Sequence, residues 1–269
     1  MTGTPLDLAA MERIGHGVQL ELLTGVGASQ PFPPPSELTM SAAAWEQLAT
    51  LRTRGVFARV DSGSAQMVEL RELGLVSASG GMTPEGESLL AVRSRAKTLF
   101  GATADTGGRH TTFNSWYSGG DALVAAQRID DAGVPVVSLH RTTRSASLGL
   151  LTSWLRLGPA WSLDHGNEVD EHDADLIQRR VDAVHGQEPA VPDDASWVTR
   201  RAWAAGEWTR YAVVSPALAK KAEQIRTGDV GWFRPEPTSV GRVRLVPINS
   251  VRLMYNILEL FQDTVRLTR

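Results

Sequence analysis

One texture occurs twice in this chain and limits the folds open to it. Residues 136–155, VVSLHRTTRSASLGLLTSWL, run from an apolar strand through a polar turn into a leucine-rich helix, and residues 243–261, VRLVPINSVRLMYNILELF, repeat that order. Strand-like segments precede each copy. Before the first stand Arg109–Tyr117, Ala122–Arg128 and Val134–Arg141, joined by the tight links Ser118-Gly119-Gly120-Asp121 and Asp130-Asp131-Ala132-Gly133, which suit antiparallel hairpins. Around the second, WVTRRAW, EWTRYAVVS, DVGWFRPE and GRVRLVPI read as strands, with helices expected over 168–184 and 216–226. The pattern predicts an internal duplication, with pseudo-halves 1–160 and 161–269 related by a pseudo-twofold. We therefore expect a single α+β domain over 1–269 with a central antiparallel sheet.

The first hundred residues have a different character. A short helical turn is expected over Leu6–Arg13, and Val18, Leu20 and Leu22 alternate as a half-buried strand would. The connector from Pro31 to Pro35 contains three consecutive prolines and can continue neither helix nor ladder. Three helices follow: AAAWEQLATLRTRG, with Trp45, Leu48 and Leu51 at three-residue steps; AQMVELRELG; and PEGESLLAVRSRAKTLF, with Thr83 as cap and Pro84 at its first position. A polar link, ATADTGGRH, comes next.

Helix, short strand, glycine turn and new helix is also how a winged-helix DNA reader is written, so residues 37–100 give an alternative function, a transcriptional regulator. Charge argues against it. Arg52, Arg54, Arg59, Arg71, Arg93, Arg95 and Lys97 are matched one for one by Glu37, Glu46, Asp61, Glu69, Glu72, Glu85 and Glu87. A module with no net charge gains little from counterion release. The expectation is no nucleic-acid partner.

The whole chain has 269 residues and a net charge of −3, with no cysteine, which excludes thiolate catalysis, cysteine-ligated zinc and disulfides. No apolar run approaches the roughly 20 residues that span a bilayer, and the N-terminus lacks a basic, apolar leader. A cytoplasmic protein without membrane insertion is expected. Of 27 Lys and Arg, 24 are arginine, the bias of a GC-rich, actinobacterial type of genome.

Candidate chemistry is sparse. DHGNEVDEHD offers His165, Glu168, Asp170, Glu171, His172 and Asp173, but their spacing matches no metal motif of known geometry. There is no G-x-S-x-G elbow near His140, and GVGAS lacks the Lys-Ser/Thr of a phosphate loop. The expectation is no enzyme, no cofactor and no metal. What stands out is aromatic: Trp116 and Tyr117 by a hairpin, and Trp197, Trp203, Trp208, Tyr211 and Trp232 in the second set. Trp, Tyr and Arg are the usual anchors of protein-binding surfaces.

LRELGLVSASGGMTPEGESLLAVRSRA, the SWYSGGDALVAAQ and VVSLHRT strands, and GRVRLVPINSVRLMYNILEL together resemble the EspG-type chaperones of ESX, or type VII, secretion systems. The likeness runs over most of 37–263. It implies a central antiparallel sheet flanked by two helical bundles in a quasi-twofold arrangement, and a cytoplasmic chaperone that holds helical PE–PPE-like heterodimers before export. By location within that family, the protein-binding residues expected are Trp116, Tyr117, Trp203, Trp208 and Tyr211.

Overall fold

The computed structural model describes residues 38–51, 63–158, 170–228 and 230–266. The expectations for the N-terminal turn, the strand of Val18–Leu22, the Pro31–Pro35 connector, His165 and Glu168 lie outside the described residues. In chain order the elements are β1 (Leu38–Ser41), α1 (Ala42–Leu51), α2 (Ala65–Glu72), α3 (Pro84–Arg95), β2 (Thr98–Thr106), β3 (Arg109–Ser118), β4 (Asp121–Ile129), β5 (Pro135–Thr143) and α4 (Arg144–Trp154). After them come β6 (Glu171–Asp173), α5 (Ala174–Asp182), α6 (Trp197–Ala204), β7 (Trp208–Ser215), β8 (Lys220–Thr227), β9 (Gly231–Ser239), β10 (Arg242–Ile248) and α7 (Ser250–Arg266).

The class is α+β, as expected. The ten described strands form one sheet in the order β1-β5-β4-β3-β2-β7-β8-β9-β10-β6, and every pairing among them is antiparallel. The described elements run twice through one order: a short strand, helices, a four-strand meander, a helix. In each run the short strand closes the outer edge by pairing with the last strand of its meander, β1 on β5 and β6 on β10. The two runs meet at the centre, where Gly101–Asp105 of β2 pairs with Arg210–Val214 of β7.

Both faces of this sheet are covered, which is why β4 reads ALVA with no polar alternation. Ala122 and Val124 point to one face, packing with Leu150, Leu151 and Leu155 of the α4 region and Leu253, Ile257 and Phe261 of α7. Leu123 and Ala125 point to the other, under Leu48, Leu70, Leu89 and Leu90 of α1–α3. That second face continues across the seam to Trp208, Ile225 and Phe233, covered by Ile177 and Val181 of α5 and Val198 and Trp203 of α6.

Local chemistry fixes the helix starts. Thr83 Oγ1 accepts from Gly86 N–H at 3.2 Å, with Pro84 in the first turn. Gly86 has a packing reason too: a Cβ built there would stand 2.4 Å from the Leu75 carbonyl oxygen. α1–α3 do not form a free-standing unit, since β1 is an edge of the common sheet and α3 packs on β3 and β4.

Five expectations are corrected. The helix expected over 168–184 starts only at Ala174, because Glu171–Asp173 pairs with β10 as the edge strand β6. WVTRRAW is the helix α6: Ser196 caps it through Thr199 N–H, and Val198, Ala202 and Trp203 form one buried stripe, which outweighs the β-favouring side chains. Residues 216–226 are a 3-10 turn at Pro216–Leu218 followed by β8, which pairs with β7 along its whole length. ATADTGGRH is the end of β2 and a hairpin into β3, turning at Gly107 and Gly108, with φ of 54° and 71°. The third helix stops at Arg95, and Thr98–Phe100 already belong to β2.

Candidate protein-binding site

The five expected anchor residues do not share a surface. Tyr117 is 3% exposed, and its hydroxyl sits 2.6 Å from Ser115 Oγ and 3.0 Å from Ser147 Oγ; burial raises its pKa. Tyr211 is buried on the same face between the rings of Trp154 and Trp232, and burial raises its pKa as well. Trp203 and Trp208 lie on the opposite face, in the α5–α6 core, with ring centroids 5.0 Å apart. Their indole N–H groups are satisfied internally, donating to the Pro189 and Ala202 carbonyls, each at 2.9 Å. These four rings are buried and hold the sheet to its helices, so they form no common exposed binding surface. The physical reason is the double cover of the sheet, which buries Tyr117, Trp208 and Tyr211 on the strands and the inward-facing Trp203 of α6.

Trp116 differs. It is half-buried, and two helices bring it companions: Trp45 from α1, also half-buried, and Arg93 from the last turn of α3. Arg93 Cζ lies 4.8 Å from the Trp116 ring centroid and 5.2 Å from that of Trp45. The two indoles are 5.9 Å apart and tilted by 52°. The guanidinium is thus held by two π faces, a favourable setting for a cation withdrawn from water. Burial lowers the Arg93 pKa, and its Nη1 is buried with no hydrogen-bond partner among the described residues. Such a donor is costly alone and strongly rewarded by a carbonyl or carboxylate brought to it.

Sheet register extends this cluster. Leu99 on β2 is the cross-strand partner of Trp116, and Val214 on β7 stands opposite the neighbouring Gly101. Leu99, Trp116 and Val214 are all half-buried, and they occupy the stretch of this face between the α1–α3 cover and the α5–α6 cover. Sequence reasoning missed Trp45 and Arg93. The signal for Trp45 was its place at the head of the Leu48–Leu51 stripe, which reads equally as plain core.

The acidic segment resolves into structural roles where it is described. Asp170 Oδ2 accepts from Ser196 N–H at 2.7 Å. Burial would raise its carboxyl pKa, but hydrogen bonds from Thr199 and Ser196 outweigh that and hold it low. His172 is buried, with Nε2 3.4 Å from Thr199 Oγ1 and its ring against Trp203. Asp173 caps α5 through Asp175 N–H, and Glu171 pairs with Arg244. Together these groups pin α5 and α6 to the sheet edge. No group of three or more His, Asp or Glu able to hold a metal occurs among the described residues, and no described helix is long and apolar enough to cross a membrane. The sequence matches no protein-family model and no curated protein.

Proposed function

We propose that this protein is a non-enzymatic chaperone or adaptor of the EspG type, which holds a helical type VII secretion substrate, a PE–PPE-like pair, in the cytoplasm before export. The observation that carries the reading is the strand order: two runs of strand, helices, meander and helix joined antiparallel at β2 and β7. That order supports an internal duplication with halves 1–160 and 161–269, and with it the quasi-twofold sheet and helical flanks that the family resemblance implies.

The physical fit is that of a rigid platform. A sheet covered on both faces moves little, and edge strands of four and three residues offer scant backbone for uncontrolled pairing. A helical substrate keeps its apolar tip soluble by burying it on a preformed surface, and Trp45, Arg93 and Trp116 have the composition of an interface hot spot. Leu99 and Val214 extend the apolar ground beside them.

Co-expression with a PE–PPE-like pair, followed by gel filtration, tests the proposal. Elution of all three chains as one complex is expected. Separate elution of protein and pair, or retention of duplex DNA in their place, contradicts it.

A further inference from the structure

A cleft of about 230 Å³ opens where the ends of β2, β3, β4 and β7 meet the C-terminus of α4, on the face opposite Trp116. Three arginines line it: Arg109 from β3, Arg128 from β4 and Arg156 just past α4. Glu207, the single acidic group in that lining among the described residues, is paired with Arg109 at 3.0 Å. Arg128 and Arg156 are exposed and have no acidic partner among the described residues. The floor is apolar and rigid: the Trp154 and Tyr211 rings meet edge to face at 5.8 Å, and Trp154 Nε1–H is fixed on the Gln127 carbonyl at 2.8 Å.

The backbone at Arg156 carries a further mark. α4 ends with Arg156 N–H donating to the Ser153 carbonyl and Leu157 N–H to that of Thr152, both at 2.9 Å. That paired closure places Arg156 in the left-handed region, with φ of 53°. Glycine is the usual occupant of such a position, because a side chain there is strained. Here the strained position delivers a cation to the cleft rim.

We propose that this cleft binds carboxylate groups of an acidic polypeptide segment. Its cationic rim over an aromatic floor fits a carboxylate on a short methylene stem, and arginine is suited to planar, bidentate recognition of that group. The phosphate group, more strongly hydrated and without an apolar stem, would leave the Trp154–Tyr211 floor unused. An adaptor can use such a site, but the site does not require the adaptor reading, since any acidic chain segment fits it.

The test uses full-length protein and a fluorescently labelled hexaglutamate peptide, acetylated and amidated at its ends, with binding followed by anisotropy. Saturable binding that weakens as salt rises is expected, with none for the matching hexaglutamine peptide. Arg128→Gln combined with Arg156→Asn should weaken binding roughly tenfold, the scale of two exposed charge-assisted contacts, with an unchanged melting temperature; Asn tolerates the left-handed backbone. Glu207→Gln should tighten binding. No saturable binding at any salt, an unchanged affinity in the folded double variant, or displacement of the peptide by inorganic phosphate at lower concentration than by unlabelled peptide would overturn the proposal.

Discussion

Arg93 and Arg180 are placed alike and do different things. Each sits over tryptophan on the same face of the sheet, one in each half, and burial lowers the pKa of both. Arg180 is 2% exposed, over Trp208 at 5.2 Å, and its Nη2 is shared among the carbonyls of Trp203, Ala205 and Gly206 at 3.2, 2.7 and 2.7 Å. It thereby closes the end of α6, where helix carbonyls lack intrahelical partners. Each keeps one buried N–H without a hydrogen-bond partner among the described residues, Nε in Arg180 and Nη1 in Arg93, but Arg93 is flanked by two half-buried indoles in place of the three carbonyls. A closed arginine–tryptophan pair is a structural lock; an open one is a place to bind. The difference lies in what surrounds the pair.

This contrast can be broken by mutation. The largest effect is expected for Trp208→Ala, which empties a fully buried site and should cost about 3–5 kcal/mol in urea unfolding, reducing partner binding only as the folded population falls. Arg180→Ala leaves three carbonyls without their donor and should cost about 3 kcal/mol by the same measurement. Gly86→Ala forces the Leu75 carbonyl to move and should cost about 1–3 kcal/mol, seen as a lower melting temperature. Trp116→Ala, at a half-buried site, should cost less than any core aromatic while partner affinity falls by about 2 kcal/mol or more. If Trp116→Ala proves as destabilising as Trp208→Ala, the open pair is a second lock and the comparison fails.

The smallest expected effect is one of pH. Burial outweighs the pull of Asp170 and holds the His172 pKa below the ordinary histidine value. The unfolded chain therefore takes up a proton before the folded one. Stability from this group is complete above about pH 6.5 and declines as pH falls from there toward the lowered native value. Urea midpoints across that window should fall with acidity in the wild type and flatten in His172→Gln; equal slopes would remove His172 from this role.

The elements easiest to read in the sequence are those with local punctuation. Ser118-Gly119-Gly120-Asp121 and Asp130-Asp131-Ala132-Gly133 mark the β3–β4 and β4–β5 turns, and Thr83-Pro84 opens α3. α6 was hidden because Trp197, Val198 and Thr199 favour strands, although Ser196 already stood as its cap. β8 was hidden because KKAEQIRT has little apolar alternation and is held by its ladder to β7. The binding cluster was half legible. Trp116 stands out beside a hairpin, but only the packing of α1 and α3 on the sheet brings Trp45 and Arg93 to it. Tyr117, Trp208 and Tyr211 were misplaced for a related reason: alternation along a strand names two faces, and nothing local says that both are covered; Trp203 was misplaced with α6, whose buried stripe reads as a strand.

The most direct test of the central claim is capture from native lysate at moderate salt, with tagged wild type and tagged Trp116→Ala side by side and mass spectrometry of what co-purifies. The account predicts that wild type recovers a pair of helical proteins from a type VII secretion locus and that the folded variant loses them. Equal recovery by both would contradict the placement of the site, and recovery of DNA alone, lost steeply as salt rises, would contradict the adaptor function itself.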